Sequence, residues 1–200
     1  QEVLFLRETN EHIATWEGHK LTKDEARALT GIETVLWLSE FWKLFNTMMV
    51  MGDTQYVYLN TNDHYRAESS VTTREMRFVK TCIERYPLHA YERLAPIMHK
   101  LRSVKSKAEI DLLQQACDIT ERAFRRVLKF VKPGVMENEI EAEFIHEFLK
   151  SGSRGFAYEP IVASGKNSCV LHYIENDKPC QDGDMLLLDV GAEYANYNAD

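Results

Sequence analysis

Two hundred residues, 44% hydrophobic and 28% charged, have the composition of a folded chain and exclude a disordered tail, a collagen-like repeat and a disulfide miniprotein. Lys and Arg total 24 against 31 Asp and Glu, a formal charge of −7, and this argues against a nucleic-acid partner, since a phosphate backbone selects a basic face. Apolar runs such as Met185–Leu188 are strand-sized, far from the ~20 residues that cross a bilayer, so no membrane partner is expected. The four cysteines (Cys82, Cys117, Cys169 and Cys180) form no C-x-x-C pair and fit reduced thiols. With no signal-like stretch after Gln1, a cytoplasmic location is expected.

In chain order, Val3–Leu6 reads as a strand with little beside it to pair with, so further chain is expected before Gln1. Thr22-Lys23-Asp24-Glu25 is a capping box that opens a helix ending near Gly31. A strand over Thr34–Leu38, a helix from Ser39-Glu40 to Gly52 and a strand over Gln55–Leu59 follow. Asn60–Ser70 is polar and reads as a loop. Thr73 to Arg85 is helical until Pro87, and a short helix is expected over Tyr91–Leu101. Alternating strands and helices make this an α/β domain. Arg102–Ser106, basic and poor in apolar residues, marks the boundary between a domain at 1–103 and one at 104–200.

Ser106 and Glu109 form a second capping box before the most periodic segment. There Leu112, Leu113, Ala116, Ile119, Ala123, Phe124 and Val127 recur at three- and four-residue steps until Pro133-Gly134. A second amphipathic helix carries Ile140, Phe144, Phe148 and Leu149 and is closed by Gly152. Strands are expected over Tyr158–Ala163, Val170–Tyr173 and Met185–Val190, giving an α+β second domain.

The chemistry concentrates at the carboxyl end. A strand read as buried on both faces ends in Asp189. A turn at Ala195-Asn196 pairs residues whose numbers sum to 391, which sets Asp200 opposite Gly191 and diagonal to Asp189. Two carboxylates leaning together repel unless a cation lies between them, and oxygen ligands suit Mn²⁺, Co²⁺ or Zn²⁺. The plainer alternative leaves Asp189 as a strand-end acid and Asp200 as a surface acid. His172, between apolar neighbours, fits either a core histidine or a cleft residue. Gly165-Lys166 lacks the spacing of a phosphate-binding loop, and His146-Glu147 lacks the second histidine of a zincin.

The ordered set Ile161-Val162-Ala163-Ser164-Gly165-Lys166-Asn167, Leu171-His172-Tyr173, Glu175-Asn176, Asp182-Gly183-Asp184 and Asp189-Val190-Gly191-Ala192-Glu193-Tyr194, with Asp200, resembles the Xaa-Pro aminopeptidase group of the pita-bread metallopeptidases. Arg102-Ser103-Val104-Lys105-Ser106, Pro133-Gly134-Val135 and Trp16-Glu17-Gly18-His19-Lys20 are similar to that group as well. The resemblance implies a creatinase-like amino-terminal α/β domain, incomplete at its start, and the first half of a pita-bread catalytic domain. It implies hydrolysis of the bond between an N-terminal residue and a following proline, by a hydroxide activated on two divalent ions, commonly Mn²⁺. Asp189 and Asp200 match metal ligands, His172 a substrate-site residue that supports the scissile region, and Tyr158 a pocket residue. It further implies a peptide substrate with proline second and a homo-oligomer, dimer or tetramer. Five protein ligands are needed in that group and the chain reaches two, so the span alone is expected to be inactive. The alternatives are a prolidase acting on dipeptides and a metal-free pita-bread binding module.

Overall fold

Two parallel strand pairs organise the first hundred residues. The computed structural model describes residues 2–62 and 70–199, in two units, Gln1–His99 and Lys100–Asp200. In the first unit β1 (Val3–Leu6) pairs in parallel with β2 (Thr34–Trp37), and β3 (Tyr56–Leu59) with β4 (Ala90–Arg93). Helices α1 (Glu11–Glu17) and α2 (Lys23–Thr30) connect the first pair. The Thr22 box forms as read: its hydroxyl accepts from the Glu25 amide, and the Glu25 carboxylate accepts from the Thr22 amide at 2.8 Å. Gly31, left-handed at φ 72°, ends α2, as glycine does without steric cost.

Helices α3 (Phe41–Met51) and α4 (Arg74–Arg85) connect β2 to β3 and β3 to β4. Phe41, Trp42, Phe45 and Phe78 form a ring cluster with centroids 5.4–5.9 Å apart, while Met49, Val57 and Tyr86 are the buried core beneath β3. Two expectations need correcting. The helix expected over Tyr91–Leu101 is instead β4 followed by α5 (Ala95–Ser103), because the backbone of residues 90–93 is taken up by pairing with β3. Pro96 then sits in the first turn of α5, where its missing N–H costs nothing. Helix α1 went unread, since seven residues without a buried member leave no apolar stripe to read. The loop expected over Asn60–Ser70 lies largely outside the described residues.

In the second unit α6 (Lys107–Phe130) and α7 (Glu137–Lys150) bury Ile119, Ala123, Val127, Ile140, Phe144 and Phe148 between them and a β layer. Arg126 of α6 meets Glu143 of α7 across the helix pair. The β layer comprises an antiparallel pair, β6 (Ile161–Ser164) with β7 (Leu186–Asp189), and a three-stranded set in the order β5 (Gly155–Phe156), β8 (Ala192–Tyr194), β9 (Tyr197–Asn198). The hairpin turn falls at Ala195 (φ 49°) and Asn196 (φ 66°), and Tyr194 pairs with Tyr197 and Glu193 with Asn198, the expected register. Two consecutive positive φ values match the right-handed strand twist.

Two strand readings fail here. Val170–Tyr173 is a turn, because the segment is held by side chains and finds no ladder partner. Strand β7 is buried on one face only: Leu186 and Leu188 pack on the core, while Leu187 is 37% exposed. Within the described residues β7 has one neighbouring strand and helices on one side, so alternate side chains face outward. No helix among the described residues is long and apolar enough to cross a membrane.

Phe144→Ala is expected to lower stability by about 3–5 kcal/mol. Leu128→Ala, at a position on α6 that is mostly exposed, should stay within about 0.5 kcal/mol. Urea midpoints of the two variants test the contrast.

Candidate metal and substrate site

Register decides which side of the β6–β7 pair each side chain takes. Val162 opposes Leu188 on the helix-covered face, whereas Ile161 opposes Asp189 and Ala163 opposes Leu187 on the other. Asp189 therefore ends β7 on the face turned away from α6 and α7. It is exposed, in keeping with a strand covered on one face and not on both as read from the sequence. Its Oδ1 accepts from the Tyr158 hydroxyl at 2.8 Å. Tyr158 and Asp189, two of the residues singled out from the sequence, are thus in direct contact.

Gly191 lies two residues on, where the chain passes very close to β9. A Cβ built there would stand 1.8 Å from the Ala199 carbonyl oxygen and 3.3 Å from Tyr158 Cε1. Its φ is outside the left-handed region, so the need for glycine here is space. The register that sums to 391 continues through Ala199, whose amide donates to the Ala192 carbonyl at 3.0 Å. Asp200 lies outside the described residues. The hairpin is tied to α6 by the Ala192 amide donating to Thr120 Oγ1 at 3.0 Å and by the Tyr197 hydroxyl donating to Glu109 at 3.1 Å.

His172 is exposed, in the turn of the segment after β6, so its core reading is overturned. Its neighbour Tyr173 packs with Ile161 and Ala163, on the sheet face that carries Asp189. Two buried polar side chains hold this segment: Asn176, part of the ordered motif set, and Glu137, which the sequence did not single out. Asn176, at φ 45°, accepts from the Val162 amide at 3.0 Å and donates to Glu141 at 3.0 Å and to the Pro160 carbonyl at 3.1 Å.

Glu137, fully buried at the start of α7, accepts from the Ser164 amide (2.7 Å), Asn167 Nδ2 (3.1 Å), the Tyr173 hydroxyl (2.7 Å) and the Lys178 amide (3.0 Å). Burial pushes this carboxyl up, but the four donors outweigh it and hold it below the ordinary carboxylate value. The Tyr173 phenol, by burial and by donating to Glu137, is pushed up to about 12. An acid in the first turn of a helix is commonplace, and nothing local marks this one as buried.

Among the described residues no group of three or more His, Cys, Asp and Glu side chains gathers as a metal cluster. The one described carboxylate at the strand end fits a hard divalent ion by donor type, and Tyr158 fixes one of its oxygens. A complete ligand set needs further donors.

Residues 111–200 match the metallopeptidase family M24, and residues 1–58 match the aminopeptidase P N-terminal domain. The chain is 32% identical over 206 residues to the Xaa-Pro aminopeptidase of Escherichia coli (strain K12), covering 99% of this chain and 45% of that relative. It is 30% identical over 198 residues to human Xaa-Pro aminopeptidase 3, covering 99% of this chain and 38% of the relative. Among solved structures, the low-pH form of E. coli aminopeptidase P superposes with a TM-score of 0.83 at 31% identity, covering 99% of this chain and 45% of that one. Proline aminopeptidase P II from Yersinia pestis gives 0.82 at 29%, covering 98% and 45%.

Fold and matched segments together give a creatinase-like amino-terminal α/β domain in part, then the start of a pita-bread domain similar to that of the M24 metallopeptidases. Across 99% of its length the chain is similar to Xaa-Pro aminopeptidases. It covers less than half the length of these relatives.

Two outcomes follow. Gly191→Ala, which drives a methyl into the Ala199 carbonyl, should cost about 1–3 kcal/mol or more, read as a lower urea midpoint and faster exchange of the Ala199 amide. Glu137, with its folded value below the unfolded one, contributes stability that is complete above the ordinary carboxylate value and is lost as pH falls through the folded value. The stability gap between the native chain and Glu137→Gln should therefore be widest at neutral pH and narrow on acidification, measured by denaturation across pH.

Proposed function

We propose that the protein carrying this span is an Xaa-Pro aminopeptidase, a metal-dependent hydrolase that removes an N-terminal residue preceding proline. The observation that carries the reading is Asp189 at the end of a core-anchored strand, oriented by Tyr158, beside a glycine that admits no side chain. The likeness to Xaa-Pro aminopeptidases over 99% of the chain supports it. Asp189 and Asp200 would hold cations, two divalent ions in all, Mn²⁺ first and Co²⁺ or Zn²⁺ as alternatives, with the remaining ligands supplied from elsewhere in the full-length protein. A relative has been solved as zinc-substituted E. coli aminopeptidase P in complex with product, which supports zinc as an alternative. When bound, such ions activate a water for attack and polarise the scissile carbonyl.

The chain's own residues have simpler tasks. Tyr158 donates to Asp189 Oδ1 and so fixes the carboxylate plane. His172, exposed on its turn, would line the substrate site and support the scissile region with a hydrogen bond. An X-Pro bond is a tertiary amide with no N–H, so recognition rests on the carbonyl and on the shape around the proline ring. A homo-oligomer and a cytoplasmic location belong to the same reading.

The full-length protein with Mn²⁺ should cleave an Arg-Pro-Pro peptide, and the 200-residue chain alone should not. Asp189→Asn should lower kcat/KM by more than about 100-fold, and chelation should abolish turnover. Turnover of Gly-Pro in preference to the longer peptide would replace this reading with a prolidase. Cleavage of neither, with Mn²⁺ unbound, would indicate a binding module.

A further inference from the structure

One buried acid takes no part in the chemistry above. Glu137 has no exposure, and an ionised carboxylate without water is tolerable only when its oxygens find donors. Each oxygen finds two. Oε1 accepts from the Ser164 amide and Asn167 Nδ2, and Oε2 from the Tyr173 hydroxyl and the Lys178 amide.

The four donors run from the last residue of β6 along the stretch that returns toward β7. They fall at its beginning, its 3₁₀ turn, its middle and its end. None is an amide of α7, so the carboxylate is not serving as a cap for its own helix. Thr22, Thr73 and Ser106 behave otherwise, since each accepts from an amide of the helix it precedes. The backbone reinforces the link: the Glu137 amide donates to the Lys178 carbonyl at 2.9 Å, and Cys180 and Val135 pair alongside.

His172 lies at the centre of this stretch, adjacent to the Tyr173 that Glu137 holds. Beyond Ser164 the stretch forms no strand; its 3₁₀ turn is tied to Met185 through the Gly165 amide, and Asn176 ties it to Val162, Pro160 and Glu141 of α7. Glu137 contributes four of its anchors from α7, a helix locked into the core by Ile140, Phe144 and Phe148.

We propose that Glu137 is a positioning residue for the peptidase reaction: its carboxylate fixes the course of residues 164–178 and so sets His172 beside the sheet face that carries Asp189. This rests on the role given to His172 under Proposed function. Glu137 does not touch substrate; it acts through the backbone and through Tyr173. Gln at this position keeps the volume but replaces one acceptor oxygen with a donor that faces two other donors.

The test has two arms. In the 200-residue chain, amide exchange and the His172 ring signals are compared for the native sequence, Glu137→Gln and Tyr173→Phe. The expected result is a loss of protection of about 10-fold or more across 164–178 in Glu137→Gln, with the His172 resonances displaced. Tyr173→Phe, which removes one donor and spares the fold if Glu137→Gln does not, should show a smaller change of the same kind.

In the full-length protein, Glu137→Gln should lower kcat by about 10- to 100-fold with little change in KM. The same substitution made on a His172→Ala background should cost far less, since nothing remains to be positioned. Unchanged protection and unmoved His172 signals would overturn the positioning claim while leaving the peptidase reading intact. So would an equal loss of kcat with and without His172, the mark of a merely structural role. A displaced segment together with a native full-length protein inert toward X-Pro peptides would overturn the peptidase reading itself, and the positioning claim with it.

Discussion

A carboxylate shut away from water has to be surrounded by donors, and in the second unit that requirement organises everything beyond the helix pair. Glu137 stands at the first position of α7, a helix that is itself immovable because Ile140, Phe144 and Phe148 are fully buried. From that fixed point it gathers the end of β6, the 3₁₀ turn, Tyr173 and Lys178. An irregular stretch with no strand partner thereby acquires a definite course at the expense of one desolvated charge, whose four hydrogen bonds offset the burial. Asn176 repeats the device on a smaller scale, using its amide to join Val162, Pro160 and Glu141.

The other constraint is steric. Where Gly191 passes Ala199, there is no room for a side chain of any kind. Close approach of this sort brings β8 and β9 against the end of β7 and leaves Tyr158 in reach of Asp189. The hairpin is anchored from α6 through Thr120 and Glu109, so the same helix that supplies core residues also fixes the hairpin that follows the strand bearing the acid. Core, hairpin and carboxylate are in this sense one unit, and the proposed metal site would draw on such rigidity because ligand oxygens must be held before an ion arrives.

The first unit follows a different logic. Its parallel strand pairs are short and its centre is aromatic, with Phe41 stacked on Phe45 and the other pairs among Phe41, Trp42, Phe45 and Phe78 edge to face or tilted. Rings in such arrangements contribute area and orientation together, which suits a small α/β layer with few aliphatic core positions. Its match to the aminopeptidase P N-terminal domain covers β1 through β3.

Much of this molecule was legible in one dimension because the signals are local. Capping boxes at Thr22 and Ser106, the stripe from Leu112 to Val131, and the turn at Ala195-Asn196 with its register depend only on near neighbours in the chain. The ordered motifs from Ile161 to Glu193 identified the family for a similar reason, since spacing survives where individual residues are ambiguous. What tertiary structure alone decided were matters of who stands next to whom at long separation. Val170–Tyr173 looks like a strand until Glu137, thirty-odd residues upstream, takes it into a side-chain network. Leu187 looks buried until β7 is seen to have one covered face. Residues 90–93 became a strand because β3 offered them a partner. Local pattern sets what a segment can form; burial of polar groups and the pairing of distant backbones select which of those forms is kept, because both carry a free-energy cost that only the assembled neighbours can offset.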